Sequence, residues 1–478
     1  MPALRRWTQQ LDVTLKARPW IIPLVLLCLA GFTFFWRLGE GALYDWDEAI
    51  HAQMAQEMIW RHDPITPHLA GELHFTKPPL YLWQEVLAYK VLGVNEFAAR
   101  FWAALSAVGA VLMTYLLGRD LFGRAVGVGA ALLLLIVNNL PFSHGYNFVS
   151  IGRMAMMTGP LALYAVTLVW LAWRGERDRR YVILMGLPLG AAAMTKNVAG
   201  LMPLAGIVLY WLLTRPLRKW PWREIGLASA LFCLIALPWH ILEALRYGQR
   251  FFDEYILHNL IERSTRTIDV RYHRQPPWFY LDVIRRGFSY AWVLLPPAVL
   301  YGLYRALRRG ERAFLLLLLL PVAPLLVYSA AETKLGWYIL EMYPALALLA
   351  AAFLVRVLRG PWALALIVAF MVVVGWRLPS ARAGATDARR PAMAAQILAE
   401  RDETVLLCMK SDDHPRPASL FYAGRPVVHV LYREGSLQAA RPGAAWLLTD
   451  TETWEAAGLA GEIICREGTQ LLVRFDNP

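Results

Sequence analysis

Apolar residues run along this chain in eleven blocks, at about 19–36, 99–118, 125–141, 158–173, 181–194, 198–213, 224–238, 288–305, 313–329, 337–356 and 361–376. A helix perpendicular to a bilayer needs about 20 apolar residues to cross it. Several blocks fall short of that, so their ends are soft. The links between blocks are short and rich in arginine. This alternation predicts an α-helical polytopic membrane protein with about eleven spans.

The polar links also carry an orientation. "RGERDRR" (174–180), "TRPLRKWPWR" (214–223) and "YRALRRGER" (304–312) each hold four Arg or Lys. With Arg5, Arg6, Lys16, Arg18, Arg119, Arg124, Arg356 and Arg359 they fall on one side, which the positive-inside rule makes cytoplasmic. The long loops 37–98 and 239–287 then face outward, as does the chain beyond residue 376. The pattern changes there: "TVLLCM", "PVVHVLY", "AWLLTD" and "QLLVRF" read as strands, with helical stretches such as "RPAMAAQILAER" between them. The expected organisation is a membrane domain over 1–376 and a small extracytoplasmic α/β domain over 377–478. The first apolar block follows basic residues without a small-x-small cleavage site, and reads as a retained helix.

Composition agrees with this. Hydrophobic residues make up 58% of the 478 and charged ones 18%, with a mean hydropathy of +0.40. The net charge of +12 is accounted for by the topology links, so no nucleic-acid partner is expected. No phosphate-binding glycine loop occurs, which argues against a soluble nucleotide substrate. The four cysteines lack metal-ligand spacing; Cys408 and Cys465 are the candidates for a disulfide.

Chemistry concentrates on the expected outer side. Asp45, Asp47 and Glu48 lie where the chain leaves the first span. Helix capping by Asp45 or Asp47 is one reading of them. A general base acting on an acceptor hydroxyl or amine is the other, and three acids within four residues exceed what a cap needs. Asp47, Ile50 or His51, and Met54 would share a helix face. Lys77 precedes two prolines in "FTKPPLYLW", either as a snorkelling side chain or as a cation held for a phosphate. "HNLIER" places His258 and Arg263 ahead of further basic residues, against the topology rule, and suits either a solvated loop or an anionic lipid headgroup. Arg153, Lys196 and Lys334 stand singly at outer span ends and converge on the same membrane face.

The stretches "DWDEAIHAQMAQEMI", "HFTKPPLYLW" and "VLGVNEFAARFWAAL" resemble the first periplasmic loop of the ArnT-like and protein O-mannosyltransferase-like GT-C glycosyltransferases. The similarity continues through "LGAAAMTKNVAGLMPL", "LPWHILEALRYGQRFFDEYILHNLIER", "QPPWFYLDV" and "AETKLGWYILEMYPALALLAA", and so covers residues 19 to 356. It implies a multi-pass protein of the bacterial inner membrane, with its active site and C-terminal domain facing the periplasm. It also implies an inverting transfer from a polyprenyl-phosphate-linked sugar to an envelope lipid, glycan or protein. By match, Asp47 stands at the catalytic aspartate and Lys77 at the donor-phosphate lysine. His258 and Arg263 match residues near that phosphate, and Lys334 and Tyr338 match a late K-x-x-x-Y motif. Two departures concern metal binding. No acidic residue occurs between Asp120 and Glu176, where relatives carry a second aspartate, and Thr76 replaces a common glutamate. A divalent ion held by Asp47 and His258 is the metal option, and aminoarabinose is not assumed as the sugar. A flippase for lipid-linked sugar and a glycan-binding scaffold are the competing classes.

Overall fold

The computed structural model describes residues 17–44, 46–136, 146–262, 275–358, 360–375, 404–408, 417–424, 428–429, 436–440, 442, 444–467 and 469–475. Asp45, Arg263 and the predicted helix at 390–401 lie outside them.

The first apolar block folds as α1 (Ile21–Phe35). The expected outer loop that follows is itself structured: α2 (Asp47–Trp60), a hairpin of β1 (His68–Leu69) and β2 (Glu72–Leu73), and α3 (Leu80–Leu92). Then come α4 (Glu96–Phe122), α5 (Arg124–Leu134), α6 (Thr158–Arg174), α7 (Gly186–Lys196), α8 (Met202–Thr214) and α9 (Trp222–Tyr247). Further along lie α10 (Leu295–Arg309), α11 (Arg312–Leu319), α12 (Val322–Ala330), α13 (Tyr343–Val357) and α14 (Gly360–Gly375). Every predicted apolar block therefore meets helix. Among the described residues, five segments are long and apolar enough to cross a membrane: Glu96–Phe122, Arg180–Thr214, Trp222–Tyr247, Arg312–Ala330 and Gly336–Val357. Arg180–Thr214 joins two predicted blocks through a tight turn at Asn197, whose φ is +52°.

Small residues let these helices approach closely, as van der Waals packing between membrane helices requires. A Cβ on Gly127 of α5 would lie 2.5 Å from the Tyr115 carbonyl of α4, and one on Gly118 would lie 2.7 Å from Gly127. Alanine at either position would push α4 and α5 apart.

Contacts divide the chain into two units. One takes the residues up to Trp36, Ala103–Arg153, and Met157 onward through α14; the other takes Arg37–Trp102, Met154–Met156 and the C-terminal region. In the second unit, α2, α3 and the C-terminal elements share one apolar core, with Ala52, Ala55 and Tyr89 packed among Phe421, Trp446 and Leu472.

The C-terminal sheet contains β3 (Thr404–Leu407), β4 (Val428–His429), β5 (Ala444–Asp450), β6 (Gly461–Glu467) and β7 (Gln470–Phe475), in the order β4-β3-β5-β7-β6. β3 runs parallel to β4 and β5, while β7 runs antiparallel to β5 and β6. β5 is central and buried along its whole length, which is why it reads as a continuous apolar run. α15 (Pro417–Ala423) and α16 (Thr451–Ala457) flank the sheet, and α16 starts where the Asp450 carboxylate accepts the Thr453 N–H at 2.8 Å. The expected disulfide does not form. Cys408 and Cys465 are both free. Cys408 follows β3 on one face of the sheet, Cys465 of β6 packs toward the other, and β5 and β7 lie between the two strands. Three strand spacings of roughly 4.8 Å put them beyond bonding reach.

Candidate active site

Helix α2 begins at Asp47, and Trp46, not an acid, stands at its N-cap without a side-chain capping bond. The acids have other tasks. Glu48 is 2% exposed. One carboxylate oxygen accepts the Arg100 Nε at 2.8 Å and the Ala155 N–H at 3.0 Å. The other accepts the Tyr44 N–H at 2.7 Å. The Arg100 guanidinium also donates to the carbonyls of Leu38, Glu40, Gly41 and Ala42 at 2.9–3.1 Å. A buried charge is tolerated only when paired and fully hydrogen-bonded, and this pair is both. Glu48 thus fixes the turn that delivers Asp47.

Asp47 remains partly accessible. Its Oδ1 lies 3.7 Å from Lys77 Nζ, with the two side chains 18% and 19% exposed. Pro78 and Pro79 follow Lys77 and lead into α3, whose N-cap is Pro79. The Lys77 ammonium is also 3.0 Å from His51 Nε2, and His51 Nδ1 is 3.2 Å from the Ala155 carbonyl. Burial, then the Lys77 charge, push the His51 pKa down to about 3, against a partial opposing pull from Asp47. The imidazole is therefore neutral at physiological pH. Behind it lies Tyr81, ring to ring at 5.6 Å. Glu85 is fully buried on α3, and its carboxyl is held well above the usual carboxylate range by burial and by Glu48. The nearby Tyr81 hydroxyl lies outside hydrogen-bond geometry.

The other predicted residues fall in the first unit. Lys196 ends α7 with its Nζ 4.3 Å from the Tyr338 ring centroid, a cation–π contact. Tyr338 packs on Tyr328 at 5.5 Å, and Lys196 is within electrostatic reach of the buried Glu341. Lys334 is 7% exposed and donates to the Ala331 carbonyl at 2.6 Å. Arg153 is 8% exposed and donates to the Thr33, Phe34 and Trp36 carbonyls at the end of α1, at 2.7–3.1 Å. That gives it a structural task the sequence did not suggest. His258 lies in a π-helical segment, exposed and 3.0 Å from Glu262.

Residues 24–250 match the family described as dolichyl-phosphate-mannose-protein mannosyltransferase. An undecaprenyl phosphate-alpha-4-amino-4-deoxy-L-arabinose arabinosyl transferase of Pseudomonas fluorescens is 31% identical over 70% of this chain and 59% of its own length. An uncharacterized protein of Aquifex aeolicus is 28% identical over 70% of this chain and 63% of its own. The chain thus spans about three fifths of the curated relatives it matches. The crystal structure of ArnT from Cupriavidus metallidurans bound to undecaprenyl phosphate superposes with a TM-score of 0.75 at 18% identity, covering 94% of this chain and 97% of that one. The chain has the fold of that ArnT structure. An archaeal oligosaccharyltransferase, AglB from Archaeoglobus fulgidus, is a more distant structural neighbour, with a TM-score of 0.57 at 13% identity.

Among the described residues the metal option finds no ligand set. Among the described residues no three His, Cys, Asp or Glu side chains come together. Asp47 faces an ammonium, and His258 is paired with Glu262. No step is routed through a metal. Arg100 and Glu85 were missed from sequence. Arg100 had a readable signal, a lone charge inside an apolar run, which is costly unless used. His51 had a weaker one, its place one turn after Asp47.

Proposed function

We propose that this chain is an inverting glycosyltransferase that moves a sugar from a polyprenyl-phosphate carrier to an envelope lipid, glycan or protein, on the periplasmic face of a bacterial inner membrane. One observation carries the reading: the ArnT-like fold holds a partly accessible carboxylate, Asp47, 3.7 Å from a proline-braced cation, Lys77. The undecaprenyl phosphate named for the arabinosyl transferase relatives supports an undecaprenyl carrier.

The chemistry follows from that pair. Asp47 takes the proton of the acceptor O–H or N–H as it attacks the anomeric carbon. The bond from that carbon to the phosphate oxygen breaks, and the phosphate leaves with the electron pair as an anion. Lys77 stabilises the charge that develops there. Attack opposite the leaving group inverts the anomeric centre in one step. Before substrate arrives Lys77 lies against Asp47; an arriving phosphate competes for the ammonium and loosens its hold on the base.

The test is mass spectrometry of envelope lipids, glycans and proteins from cells with and without the gene. Loss of one sugar modification, with its sugar-lipid donor still reaching the periplasmic side, supports the transferase. The same loss with sugar-lipid accumulating on the cytoplasmic side would replace it with a flippase.

A further inference from the structure

We propose that His51 is a positioning residue for Lys77, holding the ammonium at the place where the donor phosphate is bound. This rests on the reading of Lys77 as the phosphate contact.

Three distances define the arrangement: Ala155 carbonyl to His51 Nδ1, 3.2 Å; His51 Nε2 to Lys77 Nζ, 3.0 Å; Lys77 Nζ to Asp47 Oδ1, 3.7 Å. A carbonyl only accepts, so Nδ1 carries the ring proton and Nε2 presents its lone pair. An ammonium only donates, so the second bond runs from Lys77 to His51. The direction of the whole chain is therefore fixed by the Ala155 carbonyl. The ring cannot swing away, because it is 2% exposed and lies edge-on to the fully buried Tyr81 at 77°.

The arrangement answers a physical need. A lysine ends a flexible four-carbon stem and loses considerable rotamer freedom when it binds a ligand. Two prolines brace its backbone but leave the stem loose. The His51 lone pair fixes the far end, and it does so without adding charge. A protonated His51 would repel Lys77. Burial and the Lys77 charge keep the ring neutral, with Asp47 and His74 the other charged or titratable groups that act on it. The Ala155 carbonyl further ties the Met154–Met156 segment to the placement of Lys77. A histidine serving only to fill the core would satisfy the same two bonds, but its removal would weaken the fold without acting on phosphate through Lys77.

The experiment measures binding of undecaprenyl phosphate to the full chain in detergent micelles. His51→Phe keeps the ring and removes the acceptor; His51→Gln keeps a side-chain acceptor. We expect His51→Phe to weaken binding about tenfold, the effect of one charge-assisted hydrogen bond, and His51→Gln to recover most of it. In a Lys77→Ala background, His51→Phe should change nothing further. If Lys77→Ala weakens binding while His51→Phe stays within about twofold of wild type, or if the two effects add, the positioning role is wrong and the reading of Lys77 stands. If Lys77→Ala binds normally, the reading of Lys77 fails and the inference falls with it. A measurement on the unsubstituted protein guards against misfolded variants. Nitrogen NMR of labelled histidine should show His51 as the neutral Nδ1–H tautomer, and an Nε2–H tautomer would overturn the proposal.

Discussion

The Tyr422 hydroxyl accepts the Leu43 N–H at 2.7 Å and donates to the Glu96 carboxylate at 3.3 Å. Tyr422 lies near the end of α15 in the C-terminal region, and Leu43 lies shortly before Asp47. The C-terminal region thus helps to hold the approach to the candidate base. Tyr422→Phe removes one oxygen and leaves a buried N–H unpaired. It should destabilise the chain by about 1–3 kcal/mol and lower turnover several-fold with the donor KM unchanged. Thermal unfolding in detergent and steady-state kinetics check both.

Arg100 and Glu48 form a buried pair whose members differ in what their loss leaves behind. Arg100→Met strands the Glu48 carboxylate and the carbonyls of Leu38, Glu40, Gly41 and Ala42 without their donor. Removing one partner of such a pair costs about 3–5 kcal/mol. Arg100→Lys should recover little, since one ammonium cannot reach the carbonyls and carboxylate that the planar fork spans. Midpoints of thermal unfolding for the two variants decide this.

Arg153 separates a structural from a donor-binding role. Its guanidinium caps the end of α1. Arg153→Leu should reduce stability by about 1–3 kcal/mol and leave undecaprenyl phosphate affinity unchanged. A large loss of affinity in a folded variant would return Arg153 to the donor site.

Two buried groups give stability a pH dependence of known sign. Folded His51 refuses a proton until about pH 3, whereas an unfolded imidazole takes one near 6.5; stability falls as pH drops through that window. Glu85 is the reverse. Its folded pKa is raised above 4.5, so the unfolded carboxyl releases a proton that the folded one keeps, and stability falls as pH rises above 4.5. Glu85→Gln removes this second loss. Relative to wild type it should gain about 1.4 kcal/mol per pH unit above the ordinary carboxyl value, up to the folded pKa of Glu85. Unfolding midpoints measured from weakly acidic to weakly basic pH test the slope.

The helical blocks were legible because a membrane span leaves a long apolar run. Structure inside the 37–98 loop was less so: α2 and α3 carry weak apolar periodicity, since α2 is buried nearly all round and by polar as well as apolar side chains. In the C-terminal sheet, four strands were readable from apolar runs and β6 was not. "GEIICRE" is an edge strand with charged ends and Ile463 46% exposed, so its pattern is diluted. Asp47 and Lys77 were chosen from charge and proline context, and the fold brings them together. The partners that fix them, Arg100, His51 and the Ala155 carbonyl, are joined to them by the fold alone. Such contacts leave no local pattern, and a backbone carbonyl has no signature in the sequence at all.

Asp47 is proposed as the base of the transfer. The most direct test compares the sugar modification that depends on this gene in cells carrying wild type or Asp47→Asn at matched membrane levels. Asp47→Asn is expected to lower transfer about 10²–10⁴-fold, the usual worth of a general base, with undecaprenyl phosphate still bound. Transfer at the wild-type rate by Asp47→Asn would contradict it.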